Sequence, residues 1–149
     1  MKQLTENEFS LRVVSESTET EIAKCVITIG TTESAAVIEG ECCEACFQYQ
    51  GFYLVLTTNN CPYEESLNIH YLNQKLELLD KATLSWPYNT GSFSLVGLTE
   101  PNKLLFKFFN DETWTLEAYT KKQFLIPALS EPRGVWRKFG FYYYFKIYK

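Results

Sequence analysis

Leu104-Leu105-Phe106-Lys107-Phe108-Phe109-Asn110-Asp111-Glu112-Thr113-Trp114-Thr115-Leu116-Glu117-Ala118-Tyr119 is the stretch whose reading decides the fold. Leu104, Phe106 and Phe108 recur at every second position, as do Trp114, Leu116 and Ala118, and a short polar link of Asn110, Asp111 and Glu112 separates the two runs. A two-residue period puts successive side chains on opposite faces of a strand, so each run shows one face to a core and the other to water. Two such runs joined by a turn form an antiparallel hairpin.

The same period extends outward in both directions. It predicts strands over 9–14, 22–29, 35–39, 42–49, 52–57, 67–71, 75–86, 92–98, 103–109, 114–119, 124–129 and 134–148, all rich in Val, Ile, Thr, Phe, Tyr and Trp. Turn chemistry separates them at Gly30-Thr31-Thr32, Gln50-Gly51, Asn59-Asn60-Cys61-Pro62, Tyr88-Asn89-Thr90-Gly91 and Glu131-Pro132-Arg133-Gly134. The expected fold is all-β, an antiparallel meander forming a sandwich or a small barrel. One or two short helices are open alternatives. Pro62, Glu64 and Glu65 make a good helix start and Leu72, Leu76 and Leu79 stand at helical spacing, although the strand reading of 62–80 is preferred; the first twenty residues offer a weaker candidate.

The chain has 149 residues, of which 46% are hydrophobic, 16% aromatic and 21% charged, a composition that excludes a disordered chain and suits one domain spanning 1–149. Met1 to Val14 holds no signal-like apolar run, and no apolar stretch is long enough to cross a bilayer as a helix. Cys25, Cys42, Cys43, Cys46 and Cys61 are an odd set. Together these features lead us to expect reduced thiols, a cytoplasmic location and no membrane partner.

Charge is unevenly spread. Met1 to Glu65 carries 11 acids against 3 bases, whereas Arg133 to Lys149 carries 5 bases and no acid, within a net charge of −4. If Glu39, Glu41, Glu44, Glu64 and Glu65 converge, they form a negative surface able to steer a basic partner. The alternative is ordinary solvation of a small acidic domain. Trp86-Pro87-Tyr88 precedes a turn, so Trp86 and Tyr88 are candidate anchors at a loop tip.

Cys43 and Cys46 form one C-x-x-C, to which Cys61 and the single His70 could add ligands. A zinc site needs four convergent donors, and in a strand Cys43 and Cys46 point to opposite faces, so no metal or cofactor is expected. Alternation also turns His70 away from Leu67, Ile69 and Tyr71, the place of a solvated or locally bonded histidine. Phosphate-binding glycine loops, zinc-protease helices and nucleophile elbows are missing, so an enzyme is not expected.

The final segment mixes Trp136, Phe139, Phe141, Tyr142, Tyr143, Tyr144, Phe145 and Tyr148 with Arg133, Arg137, Lys138, Lys146 and Lys149. Aromatics among bases can stack on single-stranded nucleic acid, but here Phe139, Phe141, Tyr143 and Phe145 alternate onto one face, which reads as a core strand, and overall acidity argues against direct nucleic-acid binding. Tyrosines on the outer face of such a final strand would allow a homodimer.

Three functions are therefore carried forward. The first is a non-enzymatic domain that binds a protein through its acidic face. In size, acidity and β-pattern, though in no motif, the chain is similar in general character to bacterial immunity proteins, an analogy that implies occlusion of a basic toxin. The second is a small barrel around an apolar ligand. The third is a thiol or metal enzyme built on Cys43, Cys46, Cys61 and His70.

Overall fold

The computed structural model describes residues 1–126 and 129–149 and contains strands and turns without a helix among them. The strands are β1 (Lys2–Gln3), β2 (Phe9–Ser15), β3 (Lys24–Ile29), β4 (Thr32–Glu33), β5 (Ile38–Glu39), β6 (Cys42–Tyr49) and β7 (Phe52–Thr58). They continue as β8 (Leu67–Leu72), β9 (Leu78–Leu84), β10 (Ser94–Thr99), β11 (Lys103–Lys107), β12 (Thr113–Phe124), β13 (Val135–Trp136) and β14 (Tyr142–Tyr148). All pairings are antiparallel and build three sheets. The order is β1-β6-β7-β8-β9-β13 in the first, β10-β11-β12-β14 in the second and β2-β3-β4 in the third, with β5 also on β3. The sheets stay open, so the sandwich alternative holds and the closed barrel does not form.

The six-stranded sheet is the middle layer, packed on both of its faces. Phe47, Leu54, Leu56, Leu67, Ile69 and Leu84 pack with Leu104, Phe106, Trp114, Leu116, Phe145 and Ile147 of the four-stranded sheet. On the opposite face, Cys46, Val55 and Leu72 pack with Cys25, Ile27 and Ile38 of the third sheet, together with Leu4 and Leu76. All six residues of β8 are buried, Asn68 and His70 among them, because packed layers cover both of its faces. Each large side chain fully withdrawn from water contributes about 1.5–3 kcal/mol.

Tyr71 ties two layers together. Its ring stacks on Phe52 with centroids 5.6 Å apart and contacts Tyr144 and Phe145, while its hydroxyl donates to the Tyr119 carbonyl at 3.0 Å.

The expected hairpin forms as drawn, with Leu104 opposite Leu116 and Phe106 opposite Trp114. Other boundaries move. The strand expected over 75–86 contracts to β9, because Leu76 adopts φ +58° in a turn that Asn73 stabilises by accepting from the Lys75 and Glu77 amides. The segment 62–80 is strand-turn-strand rather than helix. The strand expected over 124–129 is not separate: β12 runs through Phe124 and ends there, and 127–128 lie outside the described residues. The strand expected over 134–148 splits into β13 in the first sheet and β14 in the second, so 137–141 cross between them.

Candidate functional site

The crossing from β13 to β14 creates the most distinctive surface of the molecule. Gly134, at φ +94°, lets the chain pass the Trp86 ring, and the Ser85 amide donates to the Gly134 carbonyl at 2.9 Å. Trp136 then lies over this junction, its Nε1 donating to the Ser85 carbonyl at 3.2 Å. Trp86 and Pro87 form one wall of an open groove of about 590 Å³, with Ile126, Val135, Trp136 and Phe139 completing its apolar lining. A second groove, about 690 Å³, lies beside the same crossing and shares Trp136 and Phe139 with the first.

Around the grooves, Phe124, Trp136, Phe139, Phe141 and Tyr142 remain 46–75% exposed. Phe124 stacks on Phe141 with ring centres 6.1 Å apart and meets Tyr142 edge-on, while Phe139 meets Phe141 edge-on at 5.4 Å. Isolated exposed apolar residues are normal, whereas contiguous ones beside a concave surface mark a place where something binds.

Beneath the crossing lies a buried ionic cluster. The Arg137 guanidinium donates to Asp80 Oδ2 at 3.3 Å and to Glu131 Oε1 at 2.5 Å, and sits 4.5 Å from the ring centres of both Tyr143 and Phe145. Asp80 also accepts the Tyr144 amide at 2.7 Å and Glu131 the Ile147 amide at 3.2 Å. Burial raises the pKa of both carboxyls above the usual carboxylate range, opposed by Arg137. Asp80 and Glu131 thus cap two backbone amides of β14.

Each of the five expected glutamates has a local partner. Glu39 is ion-paired with Lys81. Glu65 accepts the amides of Asn59, Cys61 and Ser66 at 2.7–3.0 Å, Glu44 the Thr58 hydroxyl at 2.7 Å, and Glu41 the Asn60 side chain at 3.3 Å. Glu64 accepts the Tyr88 amide at 3.0 Å and so braces the Trp86 turn. Glu41, Glu44 and Glu65 gather near Cys42, whose thiol is pushed up by burial and then by these charges. Trp86 lines the groove as an anchor would, but Tyr88, 94% exposed, points away into solvent and lines neither groove.

His70 is a correction. It is fully buried, because the third sheet covers the face that alternation assigned to water. Its Nε2 donates to the Glu39 carbonyl at 2.9 Å, also contacting Thr57 Oγ1 at 3.3 Å, and burial lowers its pKa to about 4.

The cysteines are a second correction. A bulge at Glu44 pairs Cys43 with Thr57 and Cys46 with Val55, so both thiols share one face and pack into the smaller core beside Cys25. Burial pushes Cys25 up to about 11, Cys43 up to about 12 and Cys46 upward as well, which makes thiolate scarce at neutral pH. Neither His70 nitrogen has a thiol partner, and no group of three or more His, Cys, Asp or Glu among the described residues is placed to hold a metal.

Phe139 and Phe141 are the third correction: expected in the core, they are 75% and 46% exposed, and the inward residues of β14 are Tyr143, Phe145 and Ile147. The signal was present in Trp136-Arg137-Lys138-Phe139-Gly140-Phe141, where two consecutive bases and a glycine interrupt the two-residue period. No helix among the described residues is long and apolar enough to cross a membrane. Neither a protein-family model, nor a curated protein, nor a solved structure matches the chain.

Proposed function

We propose that this chain is a non-catalytic protein-binding domain that holds its partner at the aromatic crossing rather than across the glutamates. The observation that carries this reading is the contiguous exposure of Phe124, Trp136, Phe139 and Phe141 around an apolar groove. Binding hot spots are enriched in aromatic side chains, which offer large contact area for few frozen torsions. The buried Arg137 cluster holds the crossing in place before any partner arrives, which lowers the ordering cost of association.

The acidic-face mechanism has less to draw on, because Glu39 is ion-paired with Lys81 and Glu64 and Glu65 cap loop amides. The analogy with immunity proteins rests on general character and draws no residue from the fold. A catalytic reading on Cys43, Cys46, Cys61 and His70 has the buried, protonated thiols of Cys43 and Cys46 and the occupied histidine against it.

The test places a photo-crosslinking residue at Phe139 and, separately, at Glu41 in the chain expressed in its source cells. The same discrete protein adduct should form from the Phe139 position and not from Glu41. Adducts from Glu41 alone would sink this placement and restore the acidic face.

A further inference from the structure

Among the described residues, two cations beside the grooves have no carboxylate partner. Arg133 lines the first groove and Lys138 the second. The acids lining these grooves, Glu131 and Asp80, are both engaged by Arg137, and Lys81 is engaged by Glu39. Lys121 and Lys122 lie on the exposed end of β12, with Gln123 between them and Phe124, and none of the four bases Arg133, Lys138, Lys121 and Lys122 has a carboxylate partner among the described residues. A chain of net charge −4 thus turns an aromatic end with a surplus of positive charge toward solvent.

We infer that the partner presents an acidic polypeptide segment, one aromatic or branched aliphatic side chain entering the groove beside Trp86 and Trp136 and flanking carboxylates meeting Arg133 and Lys138. This rests on the protein-binding reading above. An apolar groove walled by Pro87, Ile126 and Val135 accepts a hydrophobic side chain, and unpaired bases at its rim select flanking charge and speed encounter. A nucleic-acid strand fits less well. Phe124 and Phe141 stack on each other, which leaves each only one ring face for a base.

The experiment selects displayed random peptides on the intact protein, with counter-selection on the Trp136→Ser/Phe139→Ser variant, and reads the charge of the enriched sequences. Net-acidic peptides containing Phe, Trp, Leu or Ile are expected. Their synthetic forms should lose roughly three- to thirtyfold in affinity on Arg133→Glu/Lys138→Glu, with a flatter salt dependence. Enrichment of neutral or basic peptides overturns the acidic-segment inference while leaving the groove as a protein site. Loss of every enriched peptide under the counter-selection overturns the groove itself. Oligothymidylate binding the protein more tightly than the best peptide overturns both in favour of nucleic acid. Thermal midpoints of the exposed variants that match the parent show that a lost affinity is not a lost fold.

Discussion

Arg137 reaches Asp80 across the seam between two sheets, its Nη1 3.3 Å from Oδ2, with the two side chains only 6% and 9% exposed. Asp80 belongs to β9 of the middle sheet and also accepts the Tyr144 amide of β14, so one carboxylate joins the crossing, the middle sheet and the edge of its neighbour. Glu131 completes the cluster from the loop before β13. A buried charge pair is weak evidence of net stability, but removing one member leaves the other uncompensated.

Arg137→Met should therefore destabilise the domain by about 3–5 kcal/mol, because two desolvated carboxylates lose their shared cation. Arg137→Lys should cost less: it restores charge but cannot engage both acids while lying flat between Tyr143 and Phe145. Urea unfolding of the parent and both variants checks this order. Equal stability of all three would show that the cluster does not hold the crossing.

His70 predicts the acid limb of the stability profile. Its folded-state pKa is lowered to about 4 from 6.5, so below about pH 6.5 the unfolded chain takes up a proton that the folded chain refuses. Stability should fall as pH drops through that window, by at most about 3 kcal/mol near pH 4. Asp80 and Glu131 act with the opposite sign, since their raised values mean that acid relieves the cost of burying their charge. His70→Gln keeps a donor for the Glu39 carbonyl and removes the titration, so the parent-minus-variant difference isolates the histidine. A difference that stays flat from pH 7 to pH 4 refutes the assignment.

How far the sequence reached is set by what period two can encode. It identifies strands whose faces differ, and the hairpin of β11 and β12 was legible residue by residue. It misreads a strand covered on both faces, which is why His70 was assigned to water: β8 alternates polar and apolar residues, yet the third sheet buries both sets. Parity also fails at a bulge, and Glu44 reversed the relation of Cys43 to Cys46. Of the site, Trp86 was legible from its loop, whereas Phe139 and Phe141 were absorbed into a long strand. A strand that leaves one sheet for another has no period of its own to announce the change.

Thiol chemistry offers a direct check of that layering. Cys42 and Cys61 are exposed, while Cys25 and Cys46 are buried and Cys43 is nearly so. An aromatic disulfide reagent should modify two thiols of the native protein quickly and all five after unfolding. Rapid native reaction at Cys43 or Cys46 would contradict both the bulge geometry and the raised pKa values, and would revive a redox role.

The glutamates around Cys42 should prove structural. Glu65 satisfies three amides of the 59–66 loop, so Glu65→Ala should cost about 1–3 kcal/mol, whereas Glu41→Lys, which loses a single exposed side-chain contact, should stay within about 0.5 kcal/mol. Thermal unfolding separates the two. Loss of partner crosslinking in Glu41→Lys at unchanged stability would return function to the acidic face.

Two glycines with positive φ allow a last comparison between backbone strain and steric exclusion. Gly30, at φ +60°, has open space where a Cβ would sit, so Gly30→Ala should cost only the left-handed conformation, about 1 kcal/mol. Gly40, at φ +122°, lies where a Cβ would overlap Oγ1 and Cβ of Thr57. That hydroxyl donates to the Glu39 carbonyl at 2.5 Å and touches His70, so displacing it disturbs a buried polar group already paired through a single backbone oxygen. Gly40→Ala should therefore cost about 2–4 kcal/mol more than Gly30→Ala and should raise the apparent pKa of His70 toward its ordinary value as water reaches the ring. Denaturant midpoints and histidine ring proton shifts followed against pH measure both effects. A large stability loss with an unmoved titration would mean that the glycine guards the strand junction alone, and that His70 owes its neutrality to the apolar layers rather than to Glu39 and Thr57.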